Sequence, residues 1–180
     1  ESKKDIHALL PEGLYPKSIH FSIPAEAEQV WKEITRQGMQ FPMMGKPDIG
    51  GRGRGVKKLY TRDDLNFYIR QSTLDFHVQA FVPFENEVGI FYFRYPGEQK
   101  GHISGIVRKE FLKVTGDGHS NVRQLLETNP RGIIYLESLK DQNTDDLNAV
   151  PEKGIELVVS PYGNHARGSL FLDDSHLADR

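Results

Sequence analysis

The stretch GKPDIGGRGRGVKKLY, Gly45–Tyr60, decides which fold this chain can have. Four glycines fall within six residues, two arginines lie between them, and a Lys-Pro pair stands just upstream. Extended segments flank this loop, so we expect it to join two strands. Consecutive glycines let backbone N–H groups converge on an anion, and the basic side chains supply positive charge. The loop is therefore either an anion-binding lid or a mobile hairpin tip with solvated arginines.

Two common phosphate-binding motifs are absent from the chain. There is no GxxxxGK[ST] loop at the start of a helix, and no GxGxxG with a strand before it and a helix after it. A glycine loop between two strands is instead typical of the flexible lids that cover phosphates in kinases and in another class of nucleotide-binding proteins. A triphosphate would suit such a loop.

The composition excludes several classes of protein. Among 180 residues, 23 are basic and 25 acidic, and the net charge of −2 argues against nucleic acid as a partner. The absence of cysteine excludes disulfides, thiolate zinc sites and cysteine nucleophiles. No apolar run approaches the roughly 20 residues that span a bilayer, and the first residues do not form a signal peptide. We expect a soluble cytoplasmic protein without membrane contact, cut from a longer chain because it begins with Glu1.

In the first half, hydrophobic periodicity predicts strands and helices in alternation. Residues 15–23 alternate as a strand, and PAEAEQVWKEITRQG follows as an amphipathic helix with Pro24 in its first turn and Gly38 at its end. Thr61 and Asp64 form a capping-box pattern ahead of a second helix, LNFYIRQ. The segments FHVQAFV and EVGIFYFRY then read as two strands.

The second half is predicted to be richer in strands. HISGIVRKEFLKV reads as one long strand returning from a PGEQKG hairpin turn, and Ser120 is the predicted N-cap of a short helix. Residues 141–148 read as an exposed acidic loop or helix end. IELVVSPYGNHARGSLFL reads as a buried strand, a turn and another strand. Strands outnumber helices and hairpins outnumber crossovers, which predicts the α+β class.

Two long segments resemble one known superfamily. FPMMGKPDIGGRGRGVKKL, followed by FHVQAFVPFENEVGIFYFR, is similar to the ATP-grasp fold of D-alanine–D-alanine ligase, glutathione synthetase and cyanophycin synthetase. KEFLKVTGDGHSNVRQLL and GNHARGSLF resemble later segments of the same proteins, so the likeness spans nearly the whole chain in order. It implies two α+β lobes, residues 1–82 and 83–180, with ATP held between them and the glycine loop as a mobile lid.

The resemblance also implies which residues bind ATP. Lys46 corresponds to a lysine that contacts the phosphates, and an earlier phosphate lysine would be Lys3 or Lys4, unless both are solvated. The hinge strand would offer backbone groups to adenine, although many relatives have Glu where this chain has Ala80. The lid glycines and hinge residues implied for the nucleotide are Gly50, Gly51, Gly53, Gly55, Gln79, Phe81 and Val82.

Further site residues are implied in the second lobe. Glu87 would bind the ribose, since one carboxylate can accept from both vicinal hydroxyls; otherwise it is an ordinary exposed acid. Arg108 and Lys109 are the implied catalytic cations near the transferred phosphate, and strand alternation predicts that only one of them faces the site. Asn164 lies in a turn where it either binds the nucleotide or adopts a left-handed backbone.

No metal site is predicted within the chain. His77, His102 and His119 show no metal-ligand spacing and are predicted to be structural or exposed. In the family, the Mg²⁺ ligands are an acidic residue followed by Glu-x-Asn, and nothing after Asp174 supplies them. The N-terminal domain that usually helps to bind the acceptor is missing too. We therefore expect ATP and Mg²⁺ as cofactors, with the metal ligands outside a chain that is either trimmed or degenerate.

The function implied by the resemblance is an ATP-dependent carboxylate–amine ligase. Such an enzyme activates a carboxylate as an acyl phosphate for attack by an amine, and positioning and charge neutralisation supply most of the catalysis. The expected partners are ATP and a small carboxylate or amino acid, and the fragment alone is expected to be inactive. The sequence does not determine the donor, the acceptor or the oligomeric state. The alternative is a non-catalytic module that binds nucleotide or peptide, as Ala80 and the missing metal ligands indicate.

Overall fold

The computed structural model describes residues 2–11, 13–84, 86–138 and 145–178. The chain divides into two compact units, Glu1–Pro83 and Phe84–Arg180. Both units combine helices with antiparallel strands, so the predicted α+β class is confirmed. That these units are the two lobes of a nucleotide-binding enzyme stays a prediction.

The first unit is a four-stranded antiparallel sheet with helices between its strands. Its strands are β1 (Ser18–Phe21), β2 (Met43–Pro47), β3 (Lys57–Leu59) and β4 (Phe76–Ala80), and they lie in the order β1-β4-β2-β3. The helices are α1 (Lys3–Leu9), α2 (Ala27–Arg36) and α3 (Arg62–Gln71). Helix α2 connects β1 to β2 and α3 connects β3 to β4, whereas β2 and β3 form a hairpin across the glycine loop, as predicted.

The core of the first unit lies between one face of the sheet and helices α2 and α3. Buried residues on the helices pack against the buried strand residues Met43, Leu59, Phe76 and Val78. Because side chains alternate along a strand, His77 and Gln79 of β4 point to the opposite face, where they are also buried. The central strand β4 therefore carries an apolar face toward the core and a polar face away from it.

Local capping chemistry explains where the helices of the first unit begin and end. The Thr61–Asp64 capping box is confirmed, with Asp64 N–H donating to Thr61 Oγ1 at 3.1 Å and Thr61 N–H to Asp64 Oδ2 at 3.0 Å. Gly38 follows α2 with a φ of 67°, as expected for a helix stop. Pro24 was wrongly predicted in the first turn, because α2 begins at Ala27. Helix α1 had no sequence prediction.

The second unit contains two separate antiparallel sheets. One has the order β5-β6-β9, from β5 (Glu87–Phe93), β6 (His102–Glu110) and β9 (Leu170–Asp173); the other pairs β7 (Leu112–Thr115) with β8 (Glu156–Ser160). Its helices are α4 (Val122–Glu127) and α5 (Pro130–Ser138), with short 3₁₀ helices at Asp145–Asn148, His165–Arg167 and Ser175–Leu177.

Two strand predictions in this unit were wrong, one in the continuity of a strand and one in its burial. HISGIVRKEFLKV does not form one strand. It divides into β6 and β7, because Leu112 and Val114 are buried in a separate hydrophobic core. Strands β8 and β9 both form, but they belong to different sheets. Most of β8 is exposed, although its apolar sequence had predicted a buried strand.

The second core is built by α4, α5 and the β7–β8 pair. Val122 and Leu126 of α4 and Tyr135 of α5 pack with Leu112 and Val114 of β7. Leu147 is 4 % exposed and joins this core. Residues 145–148 form a short 3₁₀ helix, so of the two predicted alternatives they are the helix and not the loop, while residues 141–144 lie outside the described residues. Helix α5, which had no sequence prediction, approaches α4 closely at Gly132, where a Cβ would lie 2.3 Å from the Leu126 carbonyl oxygen.

Asn121, rather than the predicted Ser120, is the N-cap of α4. Asn121 Oδ1 accepts from Gln124 N–H at 2.9 Å, and Gln124 Oε1 accepts from Asn121 N–H at 2.9 Å, which is a complete capping box. The Ser120 hydroxyl instead donates to Asp117 Oδ2 at 2.6 Å. Ser120 therefore stabilises the turn before the helix, and Asn121 stabilises the helix itself.

Asp117 makes the stability of this turn depend on pH. Hydrogen bonds from the Ser120 hydroxyl and N–H and from the His119 N–H hold the pKa of Asp117 below its usual range. A carboxyl whose pKa is lower in the folded state contributes stability above its unfolded pKa and loses that contribution as the pH falls through the folded pKa.

We expect Asp117→Asn to remove part of the acid sensitivity of the fold. Wild type should be the more stable protein near neutrality, and the difference in unfolding free energy should shrink as the pH falls below about 5. Urea unfolding at several pH values measures this difference, with Asp63→Asn on the exposed surface of α3 as the matched control. A difference that is constant with pH would contradict the assignment.

Candidate functional site

Lys46 and Gln79, two residues predicted for the nucleotide, contact each other. Lys46 lies opposite His77 in the β2–β4 pairing and Gln79 lies opposite Met44, so both project from the face that points away from the core. The Lys46 ammonium donates to Gln79 Oε1. Lys46, which the resemblance assigns to the phosphates, is therefore half-buried, and a side-chain amide orients it.

The glycine loop is exposed and consists of two successive turns. Arg54 N–H donates to the Gly51 carbonyl and Val56 N–H to the Gly53 carbonyl, both at 3.2 Å. Gly55 has a φ of 68°, and a Cβ there would lie 2.7 Å from Pro47 Cγ, so this position requires glycine. Arg52 and Arg54, together with loop glycines, line an open groove on the surface. The loop thus presents positive charge and backbone amides, and its movement over a ligand stays a prediction.

Asp48 corrects the predicted extent of the lid. The mobile lid was predicted to comprise residues 48–55, but Asp48 is 7 % exposed and is held by His77 Nε2 at 2.8 Å and by the Lys4 N–H at 2.9 Å. Asp48 N–H also donates to the Asp75 carbonyl at 2.7 Å. The exposed part of the loop therefore begins at Ile49.

Of the two candidate early lysines, Lys3 lies beside the end of β2. Its ammonium donates to the Pro47 carbonyl at 2.7 Å and the Asp48 carbonyl at 3.0 Å, so it is not merely solvated. The Lys4 backbone binds Asp48, while the residue itself is exposed. Lys3 is therefore the one that the fold holds next to the Lys46-Pro47 pair.

The hinge residues follow the end of β4. Phe81 lies under the Lys58 ammonium, 3.7 Å from the ring centroid, and Val82 is 41 % exposed. The N–H of Ala80 already donates to the Lys17 carbonyl at 2.8 Å. Phe81 and Val82 thus offer apolar surface next to Gln79, and their contact with adenine stays a prediction.

A group of histidines on the polar face of the first sheet was missed by the sequence analysis. His20 and His77 lie opposite each other in the β1–β4 pairing, and their ring centroids are 5.1 Å apart. Each of His20, Asp48 and His77 offers one potential ligand atom, and these three atoms lie within 4.8 Å of one another. No sequence spacing could reveal this group, because the pairing of β1 with β4 brings together residues that are far apart in the chain.

Burial and hydrogen bonding set the charge states in this group. Burial lowers the pKa of His77. The neighbouring Asp48 carboxylate acts in the opposite direction, but burial has the larger effect. Burial disfavours the charge of Asp48, but hydrogen bonds from His77, the Lys4 N–H and Ser2 hold its pKa below the usual range. Burial and the charge of Lys46 lower the pKa of His7, which stacks on Tyr15 at 4.3 Å. The arrangement favours a neutral His77 imidazole beside an ionised carboxylate.

In the second unit, Glu87 and Lys109 form an ion pair across β5 and β6. The two residues lie opposite each other in the sheet, and the Lys109 ammonium contacts Glu87 Oε1. Lys109 also lies 5.3 Å from the centroid of Phe171 on β9. The Glu87 carboxylate packs against Gly163, where a Cβ would lie 2.1 Å from Oε2, so a larger residue there would displace the carboxylate.

Arg108 lies on the other face of β6 from Lys109. Its guanidinium donates to Glu110 Oε1 at 2.7 Å and to Asp174 Oδ2 at 2.9 Å, and these contacts raise the pKa of Arg108 above its ordinary value. Alternation along the strand explains the separation, as the sequence predicted. Lys109 is therefore the cation that shares a face with Glu87.

Asn164 begins the 3₁₀ helix His165–Arg167 close to this pair. Its Oδ1 accepts from the Ala166 N–H at 2.9 Å, and its backbone is extended, with a φ of −139°, so the left-handed alternative is wrong. His165 stacks on Phe171 at 3.8 Å, and Phe171 also contacts Lys109. Of the residues implied for the second lobe, Glu87, Lys109 and Asn164 thus lie near one another, and Arg108 does not join them.

Comparison with known proteins yields structural neighbours alone. No protein-family model matches the chain, and no match was found among curated proteins. The solved neighbours include the VanG D-Ala:D-Ser ligase of Enterococcus faecalis, with 21% identity and a TM-score of 0.43 over 53% of this chain and 27% of that enzyme.

Two further solved structures have similar scores. Carboxyaminoimidazole ribonucleotide synthase of Aspergillus clavatus, solved with ATP, has 15% identity and a TM-score of 0.42 over 53% of this chain and 25% of that one. D-Alanine–D-alanine ligase of Bacillus anthracis has 17% identity and a TM-score of 0.40 over 87% of this chain and 39% of that one. The matched region spans about a quarter of the length of the first two enzymes.

None of the described helices has the length and apolarity needed to cross a bilayer.

Proposed function

We propose that this chain is the nucleotide-binding part of an ATP-dependent carboxylate–amine ligase that works through an acyl phosphate. One observation carries the proposal: the Lys46 ammonium, oriented by Gln79, stands at the base of an exposed loop of glycines and arginines. A lysine held in this way offers a compact positive charge to phosphate oxygens, and the loop adds backbone amides and two guanidinium groups. The sequence resemblance to the ATP-grasp superfamily points to the same residues.

In the first unit, the proposed roles follow from position along β2 and β4. Lys46 and Lys3 neutralise the phosphates, while Gly50, Gly51, Gly53 and Gly55 form the lid over them. Gln79, Phe81 and Val82 contact the adenine at the end of β4. Positioning the triphosphate and neutralising its charge are the main contributions that a protein makes to phosphoryl transfer.

In the second unit, we assign Glu87 to the ribose hydroxyls and Lys109 to the transferred phosphoryl group. Lys109 is chosen over Arg108 because it shares a face with Glu87 and lies near the Asn164 turn, whereas Arg108 is bound by Glu110 and Asp174. The γ-phosphoryl group passes from ATP to an oxygen of the donor carboxylate, ADP leaves, and an amine then displaces phosphate from the acyl phosphate. Lys109 stabilises the negative charge on the transferred group.

The described residues do not fit Mg²⁺ well. This ion prefers carboxylate, phosphate and water oxygens in octahedral geometry. Within the described ranges, the one group of three potential ligands, His20, Asp48 and His77, contains two imidazoles. The proposed mechanism therefore assigns no step to Mg²⁺ within this chain.

Substrate-stimulated ADP release tests the proposed ligase activity. A protein that contains this chain in full is incubated with ATP, Mg²⁺ and a pool of amino acids and small carboxylates, and ADP and phosphate are measured. We expect release above the level with ATP alone, and loss of that release in Lys109→Met. Release that is the same with and without the pool contradicts a ligase.

A non-catalytic binding module is the second candidate function. The closed Glu87–Lys109 pair favours it, because both side chains are satisfied without a nucleotide. ATP binding without any substrate-stimulated ADP release across the pool would identify such a module. ADP release that depends on one member of the pool would exclude it.

A further inference from the structure

We propose that His20, Asp48 and His77 form a binding site for a divalent transition-metal ion such as Zn²⁺. The site lies on the polar face of the first sheet and takes one ligand from each of three neighbouring segments: β1, β4 and the residue after β2. It is independent of the proposed ligase activity, because none of these side chains is assigned to the nucleotide.

The antiparallel pairing of β1 and β4 preorganises two of the ligands. His20 and His77 lie directly opposite each other, so their side chains stand on one face, with ring centroids 5.1 Å apart and an angle of 67° between the rings. Asp48 approaches from the other side of β4, and its Oδ1 is 2.8 Å from His77 Nε2. One ligand atom from each residue falls within 4.8 Å of the others, so small side-chain movements would bring all three to a common ion.

The chemical identity of the three ligand atoms determines which class of metal ion the site can bind. Two imidazole nitrogens and one carboxylate oxygen suit Zn²⁺, Co²⁺ or Ni²⁺, whereas Mg²⁺ and Ca²⁺ favour oxygen ligands alone. Three protein ligands leave a coordination position for water, as in open zinc sites. The side chain of His20 is 18% exposed, which gives the ion a route from solvent, while His77 is 2% exposed.

Outer polar side chains lie beside both imidazoles. Ser18 Oγ lies 3.2 Å from His77 Nδ1, so when the metal takes Nε2, the ring proton can move to Nδ1 and be donated to the Ser18 hydroxyl. Asp75 Oδ2 lies 3.5 Å from His20 Nε2, and Asp75 is itself fixed by Ser22 Oγ at 3.0 Å. Such partners hold ligand rings in place and are typical of metal sites.

Nearby charges set the strength of binding. The Lys3 ammonium lies 3.0 Å from the Asp48 carbonyl oxygen, and Lys46 lies opposite His77 in the β2–β4 pairing. Both cations repel a dication, and the carboxylates of Asp48 and Asp75 offset them. We therefore expect one ion per chain, bound more weakly than in a site without neighbouring lysines.

Calorimetric titration of the tag-free, metal-stripped 180-residue chain with Zn²⁺ tests the site. We expect one saturable event per chain and a rise in melting temperature, since an ion bound to the folded state stabilises it. Asp48→Asn and His20→Gln should each weaken the affinity by about tenfold or more. His20→Gln is the primary variant because His20 is the more exposed histidine, and circular dichroism shows that the variant is folded.

His102→Gln is the matched control, since His102 is an exposed histidine of the second unit, beside Glu98. It should leave the affinity and the stoichiometry unchanged. The proposal is overturned if folded wild type shows no saturable binding. It is equally overturned if folded His20→Gln and Asp48→Asn keep wild-type affinity, because other side chains would then hold the ion.

Discussion

Replacing Phe76 by alanine is expected to lower the free energy of unfolding by about 3–5 kcal/mol. Phe76 is fully buried on the central strand β4, and its ring contacts Tyr68 and Phe21 at centroid distances of 5.7 and 5.5 Å. Alanine would leave a cavity between the sheet and helix α3 that the surrounding strands fill only in part. Urea unfolding followed by circular dichroism measures the change.

Phe67→Ala is the matched control in the same unit. Phe67 lies on α3 but is 49 % exposed, and the Lys57 ammonium lies 5.3 Å from the centroid of its ring. Losing an exposed cation–π contact should cost about 0.5–1 kcal/mol. Equal losses for the two variants would mean that the face of β4 carrying Phe76 is not the core of this unit.

Replacing Lys46 by methionine is expected to weaken ATP binding by about 10- to 100-fold. A hydrogen bond to a charged group contributes about 1.5–3 kcal/mol, and methionine removes the charge while keeping most of the apolar stem. Because Lys46 also binds Gln79, we expect a loss of about 1 kcal/mol in unfolding free energy as well. Titration calorimetry with ATP and a thermal melt separate the two effects.

Lys32→Met controls for the general loss of one positive charge. Lys32 is exposed on α2, the helix that packs on the opposite face of the sheet from Lys46. Its replacement should leave ATP affinity unchanged. If Lys46→Met and wild type bind ATP equally well, Lys46 is not a phosphate ligand and the observation that carries the proposed function is lost.

The local signals in the sequence were sufficient for much of the secondary structure. The glycine loop between β2 and β3, the Thr61–Asp64 capping box and the Gly38 helix stop are confirmed, because each depends on residues within a few positions of one another. Alternation along β6 likewise predicts that Arg108 and Lys109 lie on opposite faces, and their different partners agree with this. The α+β class followed from the count and spacing of such local elements.

Strand partners and side-chain contacts depended on the tertiary structure. HISGIVRKEFLKV has one continuous strand pattern, yet its two parts enter different sheets because Leu112 and Val114 are buried with α4 and α5. Ser120 and Asn121 are both good N-cap residues, and the competing bond to Asp117 decided between them.

The site shows the same division between local and distant information. The sequence alone determined that Lys46 precedes a basic glycine loop, because those residues are neighbours in the chain. That Lys46 is oriented by Gln79, and that His20, Asp48 and His77 meet, was decided by the order β1-β4-β2 in the sheet. This order arises from the pairing of strands that are far apart in the chain, which no local pattern of residues encodes.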